Sequence, residues 1–161
     1  MSKNIRKNHK ICFAASSGGH LEEISRLVEI KDKYDSFLVT EKGSFDELHF
    51  CNNVVHVCQI NRKEITFIFK FFWLILVAFK VIIKEKPDII ISTGALATVP
   101  FCMVGKLLRK KIIYIESFAR VDIPSLTGKI MYKLKLANLF IVQWEDMLQY
   151  FPNAILGGKI F

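Results

Sequence analysis

The chain has no C-x-x-C pair, no G-x-G-x-x-G fingerprint, no complete phosphate loop and no Asp-x-Asp. Each absence removes a class of protein. Cys12, Cys51, Cys58 and Cys102 lie far apart, which argues against a zinc ribbon and a secreted disulfide scaffold and fits a reducing cytosol. His9, His20, His49 and His56 have no ligand spacing, and nothing is arranged to hold a divalent ion, so neither a metal nor another cofactor is expected. Without the dinucleotide or P-loop signature, a stand-alone nucleotide-binding protein is disfavoured. Proline is scarce, at four in 161 residues, and no linker, repeat or low-complexity tract divides the chain. One domain over 1–161 follows, because this length suits one buried core and is short for two. Charged residues are also few, and 24% charged against 52% hydrophobic excludes intrinsic disorder.

What charge there is leans basic, with 23 Lys+Arg against 15 Asp+Glu and a net +8. It is unevenly spread. The excess sits in a basic N-terminal tail at 1–9, around the very apolar stretch within 61–86, and near Lys106, Arg109, Lys110 and Lys111, while residues 11–60 are net acidic. A nucleic-acid binder would interleave bases and aromatics over one face. This distribution points instead to an anionic membrane surface, and no nucleic-acid partner is expected.

Apolar runs alternate with helical patterns along the whole length, the mark of a parallel α/β sheet. Strands are predicted at 10–15, 36–40, 54–57, 88–92, 112–115, 139–142 and 154–156, with helical spacing at 21–28, 63–84 and 125–137. Pro87 ends the long helix, since proline disfavours helix at the residue before it. Pro100 suits a first helical turn. This order implies a Rossmann-like, doubly wound sheet in which the first and fourth strands are neighbours at the topological switch point, where ligands of open α/β sheets bind. Both of those strands end in glycine: Gly18-Gly19 and Gly94. Ser16, Ser17, Gly18 and Gly19, with Thr93 and Gly94, would therefore offer backbone N–H groups to a phosphate or diphosphate in one crevice.

His20, at the mouth of that crevice, is the candidate catalytic residue, as general base or as donor to a phosphate oxygen. Glu116 and Arg120 follow the fifth strand and are candidate cleft residues, although an isolated pair four apart is more often a solvated ion pair. Ser125-Leu126-Thr127-Gly128-Lys129 only superficially resembles a P-loop ending, because it lacks the leading strand and first glycine.

Between Ile65 and Ile83 only Lys70 and Lys80 are charged. At about 100° per residue, Lys63, Thr66, Lys70, Lys80 and Lys84 fall within one arc of roughly 100°. Phe67, Phe71, Phe72, Trp73, Leu74, Ile75 and Phe79 occupy the rest. A helix buried in a bilayer has no reason to align its lysines; one lying at the interface has. Membrane contact through Lys63, Lys70, Phe71, Phe72, Trp73, Lys80 and Lys84 is the expectation, against the alternative of a core helix whose lysines face water.

Several of these segments together resemble a known family. Ser16-Ser17-Gly18-Gly19-His20, Ser92-Thr93-Gly94 through Pro100, Glu116-Ser117-Phe118-Ala119-Arg120-Val121, Ser125 to Lys129 and Phe140-Ile141-Val142-Gln143-Trp144 are similar to motifs of the membrane-associated subunit of the two-part UDP-N-acetylglucosamine transferase of lipid-linked oligosaccharide synthesis. Bacterial relatives of that subunit, the enhancer subunits of capsular and exopolysaccharide β-1,4-glycosyltransferases, look closer in length. The resemblance implies the N-terminal-type half of a GT-B glycosyltransferase. It implies a peripheral protein on the cytoplasmic face of the membrane that takes a polyprenyl-diphosphate-linked sugar acceptor. A separate donor-binding subunit would hold most of a UDP-sugar, for an inverting, metal-independent transfer. The family's diphosphate-cradling loops would map onto Ser17 to His20 and Thr93-Gly94. The alternative is a non-catalytic membrane scaffold that activates a partner holding all the catalytic residues.

Overall fold

The computed structural model describes residues 9–42, 50–61 and 63–160. Seven strands form one sheet: β1 (Lys10–Ala14), β2 (Asp35–Glu41), β3 (Val54–Val57), β4 (Ile89–Ser92), β5 (Lys111–Ile115), β6 (Leu139–Val142) and β7 (Ile155–Leu156). Their order is β3-β2-β1-β4-β5-β6-β7, and every pairing is parallel. β1 and β4 are neighbours, paired from Ile11↔Ile89 to Ala14↔Ser92. The sheet is therefore doubly wound from its centre, and the crevice between the first and fourth strands is where the sequence pattern puts it.

The central strands are nearly continuous apolar runs because both faces are covered. Alternate side chains serve two cores. Cys12, Ala14, Phe37, Val39, Ile90, Ile112 and Tyr114 pack beneath α3 (Phe67–Glu85), α4 (Val99–Leu107) and α5 (Leu126–Lys133). Ile11, Phe13, Ala15, Leu38, Ile91 and Ile115 form the second core with Leu21 and Ile24 of α1 (Gly19–Ser25), and Ile30 of α2 (Val28–Lys33) packs on it.

Local chemistry sets the ends of these helices. α3 stops at Lys86, which adopts a left-handed φ of 49° directly before Pro87. Pro100 lies in the first turn of α4. Ser125 caps α5, its Oγ accepting the Gly128 N–H at 2.8 Å. Lys10 at the start of β1 reaches Glu85 at the end of α3, Nζ to Oε2 2.7 Å. α3 thus runs antiparallel to the strands, with its Phe67 end at the crevice edge of the sheet.

Some boundaries differ from those the sequence implied. The helical pattern after β1 breaks into α1 and α2 at Arg26–Leu27, the long helix begins at Phe67 rather than 63, and α5 ends at Lys133 rather than 137. A 3₁₀ turn at Glu145–Gln149 has no apolar period to announce it. Of the basic N-terminal tail at 1–9, all but His9 lies outside the described residues, as does His49.

Candidate functional site

The turn after β4 carries the tightest geometry. Gly94 adopts φ 119°, a value that strains any residue with a side chain, and a Cβ there would lie 2.9 Å from the imidazole Cε1 of His20. The ring of His20 thus lies against bare backbone. Ala95 follows at φ 70°, also unfavourable for a residue with a Cβ. A buried hydroxyl pair holds this turn. Ser92 Oγ donates to Thr98 Oγ1 at 2.9 Å and accepts the Gly94 N–H at 3.2 Å, while Thr98 Oγ1 lies 3.0 Å and 2.9 Å from the carbonyls of Gly94 and Ala95. Thr93 Oγ1 donates to the main-chain carbonyl of His20 at 2.8 Å, which ties β4 to the first turn of α1.

The third wall is the segment after β5. Glu116 Oε1 accepts the Ser125 N–H at 2.7 Å, and its Oε2 accepts from Tyr114 Oη at 3.0 Å. Gly128 leaves room for this carboxylate, since a side chain there would collide with it. Trp144 Nε1 donates to the Phe118 carbonyl at 2.7 Å, and the two rings meet at 5.0 Å between centroids, tilted by 40°. Gln143 bridges two strands' ends, donating to the Glu116 carbonyl at 3.0 Å and accepting the Ile160 N–H at 2.9 Å. Glu23 of α1 reaches across: its Oε1 accepts from Ser117 Oγ at 2.8 Å and from the Phe118 N–H at 2.7 Å.

Between these walls lies a cavity of about 530 Å³, at the carboxyl ends of β1, β4 and β5. Gly19, His20 and Glu23 line one side, Ala95 and Leu96 a second, and Ser117 to Arg120 with Ser125 to Thr127 the third. The His20 side chain is 29% exposed and Arg120 is exposed, so both are available to a ligand. The expectation for Glu116 needs correction. Glu116 is 1% exposed and does not line the cavity; it makes no pair with Arg120 and instead fastens the wall from beneath. Thr93 is fully buried and its hydroxyl donates to the His20 carbonyl, so any contact it makes with a diphosphate is through its main-chain N–H. Ser16 is buried as well, and Ser17 and Gly18 are not among the residues lining the cavity. Glu23 was not singled out in the sequence. It sits beside Glu22 on a short amphipathic helix and reads there as one more solvated carboxylate.

Burial governs titration around the cavity. It pushes the Tyr114 hydroxyl well above its usual range, reinforced by the Glu116 charge, so this phenol stays protonated. The four cysteines are free, and burial raises Cys102 to about 12 and Cys12 well above normal, which removes them as nucleophiles. Among the described residues, no three His, Cys, Asp or Glu side chains gather to hold a metal ion.

The long helix presents two apolar arcs rather than one. Leu74, Ala78 and Ile82 are buried, and Phe71 is half-buried against the same core. Phe71 therefore packs inward, contrary to the expectation that it meets a membrane. Ile68, Phe69, Phe72, Trp73, Leu76 and Ile83 form the opposite arc, with Phe69 78% and Phe72 64% exposed. Lys80 and Lys84 are exposed along one flank, Lys63 is exposed before the helix, and half-buried Lys70 pairs with Glu64. Among the described residues no helix is long and apolar enough to cross a membrane.

Comparison with known proteins agrees with this architecture. Residues 11–160 match the family model described as "Oligosaccharide biosynthesis protein Alg14 like". The chain is 29% identical over 185 residues to the mouse UDP-N-acetylglucosamine transferase subunit ALG14, covering 96% of this chain and 84% of that one. It is 28% identical over 163 residues to a Borreliella afzelii UDP-N-acetylglucosamine--N-acetylmuramyl-(pentapeptide) pyrophosphoryl-undecaprenol N-acetylglucosamine transferase, covering 91% of this chain and 43% of the relative. The crystal structure of Acinetobacter baumannii MurG superposes with a TM-score of 0.70 at 13% identity, over 86% of this chain and 42% of that one. This chain thus spans under half the length of the longer transferase and of MurG, and its fold is that of one Rossmann-like half.

Proposed function

The chain belongs to the family of Alg14-like oligosaccharide biosynthesis proteins, and from that premise we propose that it is the acceptor-side, membrane-docking subunit of a two-part UDP-sugar glycosyltransferase. The observation that carries this reading is the cavity at the switch point, with His20 on its wall and Arg120 at its rim. A cavity at the carboxyl ends of the strands is where a sugar diphosphate meets backbone N–H groups. Gly19 and the Ala95–Leu96 turn supply those groups here, and Arg120 supplies a cation for the phosphates. His20 then stands where an acceptor hydroxyl would present its proton, as general base or as phosphate contact.

The exposed arc of α3 supports a place for the protein at the membrane. Aromatic and aliphatic side chains flanked by lysines suit an interfacial helix, with the rings among acyl chains and the cations at anionic headgroups. A polyprenyl-linked acceptor on the cytoplasmic face would then enter the cavity from the bilayer. The names of the relatives, a transferase subunit and a pyrophosphoryl-undecaprenol transferase, support a polyprenyl-diphosphate acceptor, UDP-N-acetylglucosamine as the first donor to test, and a partner chain that holds the donor. A finer placement in capsular or exopolysaccharide synthesis rests on the motif resemblance.

A transferase assay on membranes tests this, comparing the chain alone, its partner alone and both, with a lipid-diphosphate sugar acceptor and labelled UDP-sugars. Activity only with both is expected. His20→Ala should lower turnover of the pair by roughly 10²–10⁴-fold without lowering the melting midpoint. Full activity from the partner alone would favour the second reading, a membrane scaffold. That reading draws on the short roll of titratable groups in the cavity: His20, Glu23 and Arg120.

A further inference from the structure

Two buried polar atoms in the cavity wall have no hydrogen-bond partner among the described residues: Nδ1 of His20 and Oε2 of Glu23. They face each other at 3.9 Å. Both belong to α1, three residues apart, which places them on one side of the helix. Buried polar groups are nearly always paired, so two orphans opposite one another ask for a reason.

The surroundings leave each group little freedom. Glu23 is 3% exposed, and its other oxygen is already committed to Ser117 Oγ–H and the Phe118 N–H, which holds the carboxylate with Oε2 toward the imidazole. The backbone of Gly94 closes in on the same edge of the ring, where a Cβ would lie 2.9 Å from Cε1 and 3.2 Å from Nδ1, leaving no space for even a methyl group. Thr93 fixes the His20 carbonyl from behind. The Nδ1 edge of the imidazole thus meets both a carboxylate and a glycine. The gap of 3.9 Å is longer than a hydrogen bond, and catalytic hydrogen bonds in unliganded sites are often long and tighten when the substrate arrives.

We propose that Glu23 is a positioning residue for His20, its Oε2 accepting Nδ1–H so that the unprotonated Nε2 faces the cavity. This rests on the reading of His20 as general base. In the transfer, the acceptor hydroxyl oxygen bonds the anomeric carbon of the UDP-sugar as the bond from that carbon to the diphosphate oxygen breaks. UDP leaves with the bonding pair, the hydroxyl proton passes to Nε2, and the resulting imidazolium is balanced by the Glu23 carboxylate. Because the same carboxylate holds Ser117 and Phe118, one side chain links the tautomer of His20 to the wall carrying Arg120.

The test is spectroscopic first. Long-range ¹H–¹⁵N correlation spectra of the full chain, labelled at histidine, report which nitrogen of neutral His20 carries the proton. The Nδ1–H form should dominate by about tenfold or more, and a dominant Nε2–H form in the wild type would overturn the proposal with no variant needed. Glu23→Gln should at least equalise the two tautomers and lower kcat of the reconstituted pair by roughly 10–10³-fold, with the acceptor KM within about twofold. Ser117→Ala cuts one tie to the wall and should leave the tautomer as it is. If His20→Ala retains full turnover, the reading of His20 as base fails. If His20→Ala is inactive while Glu23→Gln keeps both tautomer and kcat, the positioning role alone is overturned.

Discussion

The crevice end of the sheet and the outward arc of α3 are opposite solutions to burial. At the crevice, polar groups are abundant and nearly all are spent inside the protein. Ser92 and Thr98 hold a strained turn, Thr93 holds His20, and Glu116 holds the loop that follows β5. On the arc, large apolar groups are abundant, and nothing among the described residues covers Phe69, Phe72 or Trp73. The difference separates two kinds of evidence. A polar residue beside a crevice is more often scaffolding than ligand contact, because a buried backbone must be satisfied first. An uncovered aromatic row has no such internal use, and a patch of that kind marks a surface that meets something else.

The sharpest way to break this comparison uses two adjacent residues of α3. Leu74 is fully buried, so Leu74→Ala should cost about 2–5 kcal/mol of stability, measured by urea denaturation. Trp73 is 58% exposed, and Trp73→Ala should change stability by no more than about 0.5 kcal/mol. The same change should weaken sedimentation with vesicles containing anionic lipid by roughly tenfold or more, the scale of withdrawing one large apolar side chain from the acyl region. Equal destabilisation by the two variants would mean that the arc packs within the protein, and the proposed membrane face would fall.

At the crevice the corresponding probe is Gly94→Ala. The residue it creates must hold φ 119° and place a methyl group against the His20 ring. A loss of about 1–3 kcal/mol is expected from the backbone alone, read as a lower midpoint in thermal or urea unfolding. His20 must also move, so the pair should lose activity even under conditions where the variant is folded. Unchanged activity in a folded variant would detach the ring's position from the chemistry.

Much of this was legible in the residues. Apolar runs and glycines placed all seven strands, the adjacency of β1 and β4, and the crevice, because these follow from period and chain order. His20 could be placed at the mouth because it directly follows Gly18-Gly19. Roles within the crevice were less legible. Glu116 and Glu23 are both carboxylates near the ends of elements, and only tertiary packing decides that the first lies beneath the wall while the second faces His20. Periodicity on α3 showed where the lysines align, but a continuous apolar surface carries no mark of which third meets the sheet. Phe71 and Phe72 are adjacent and chemically identical, and the packing of α4 and the sheet alone assigns one inward and the other outward.

The smallest effect tests whether the crevice end carries a residual electrostatic cost that the apolar arc cannot have. Glu41 ends β2, is 6% exposed, and accepts the Ile60 N–H at Oε1, 3.0 Å. Burial raises its carboxyl above the ordinary 4.5, against the opposing pull of the Ile60 N–H and the His20 charge. The sign follows from linkage. Below 4.5 the group is protonated in both folded and unfolded chains, and its contribution to stability is complete. As pH rises from there through the raised folded value, the unfolded chain releases its proton first, so stability is lost across that window and the loss is constant above it. Glu41→Gln keeps an oxygen for the Ile60 N–H and removes the ionisation. The variant should therefore gain stability on the wild type as pH rises through this window, and the gain should vanish at pH 4 and below. Midpoints of urea unfolding for the two proteins at matched pH give that difference directly. A gain of the same size at every pH would assign it to packing rather than charge.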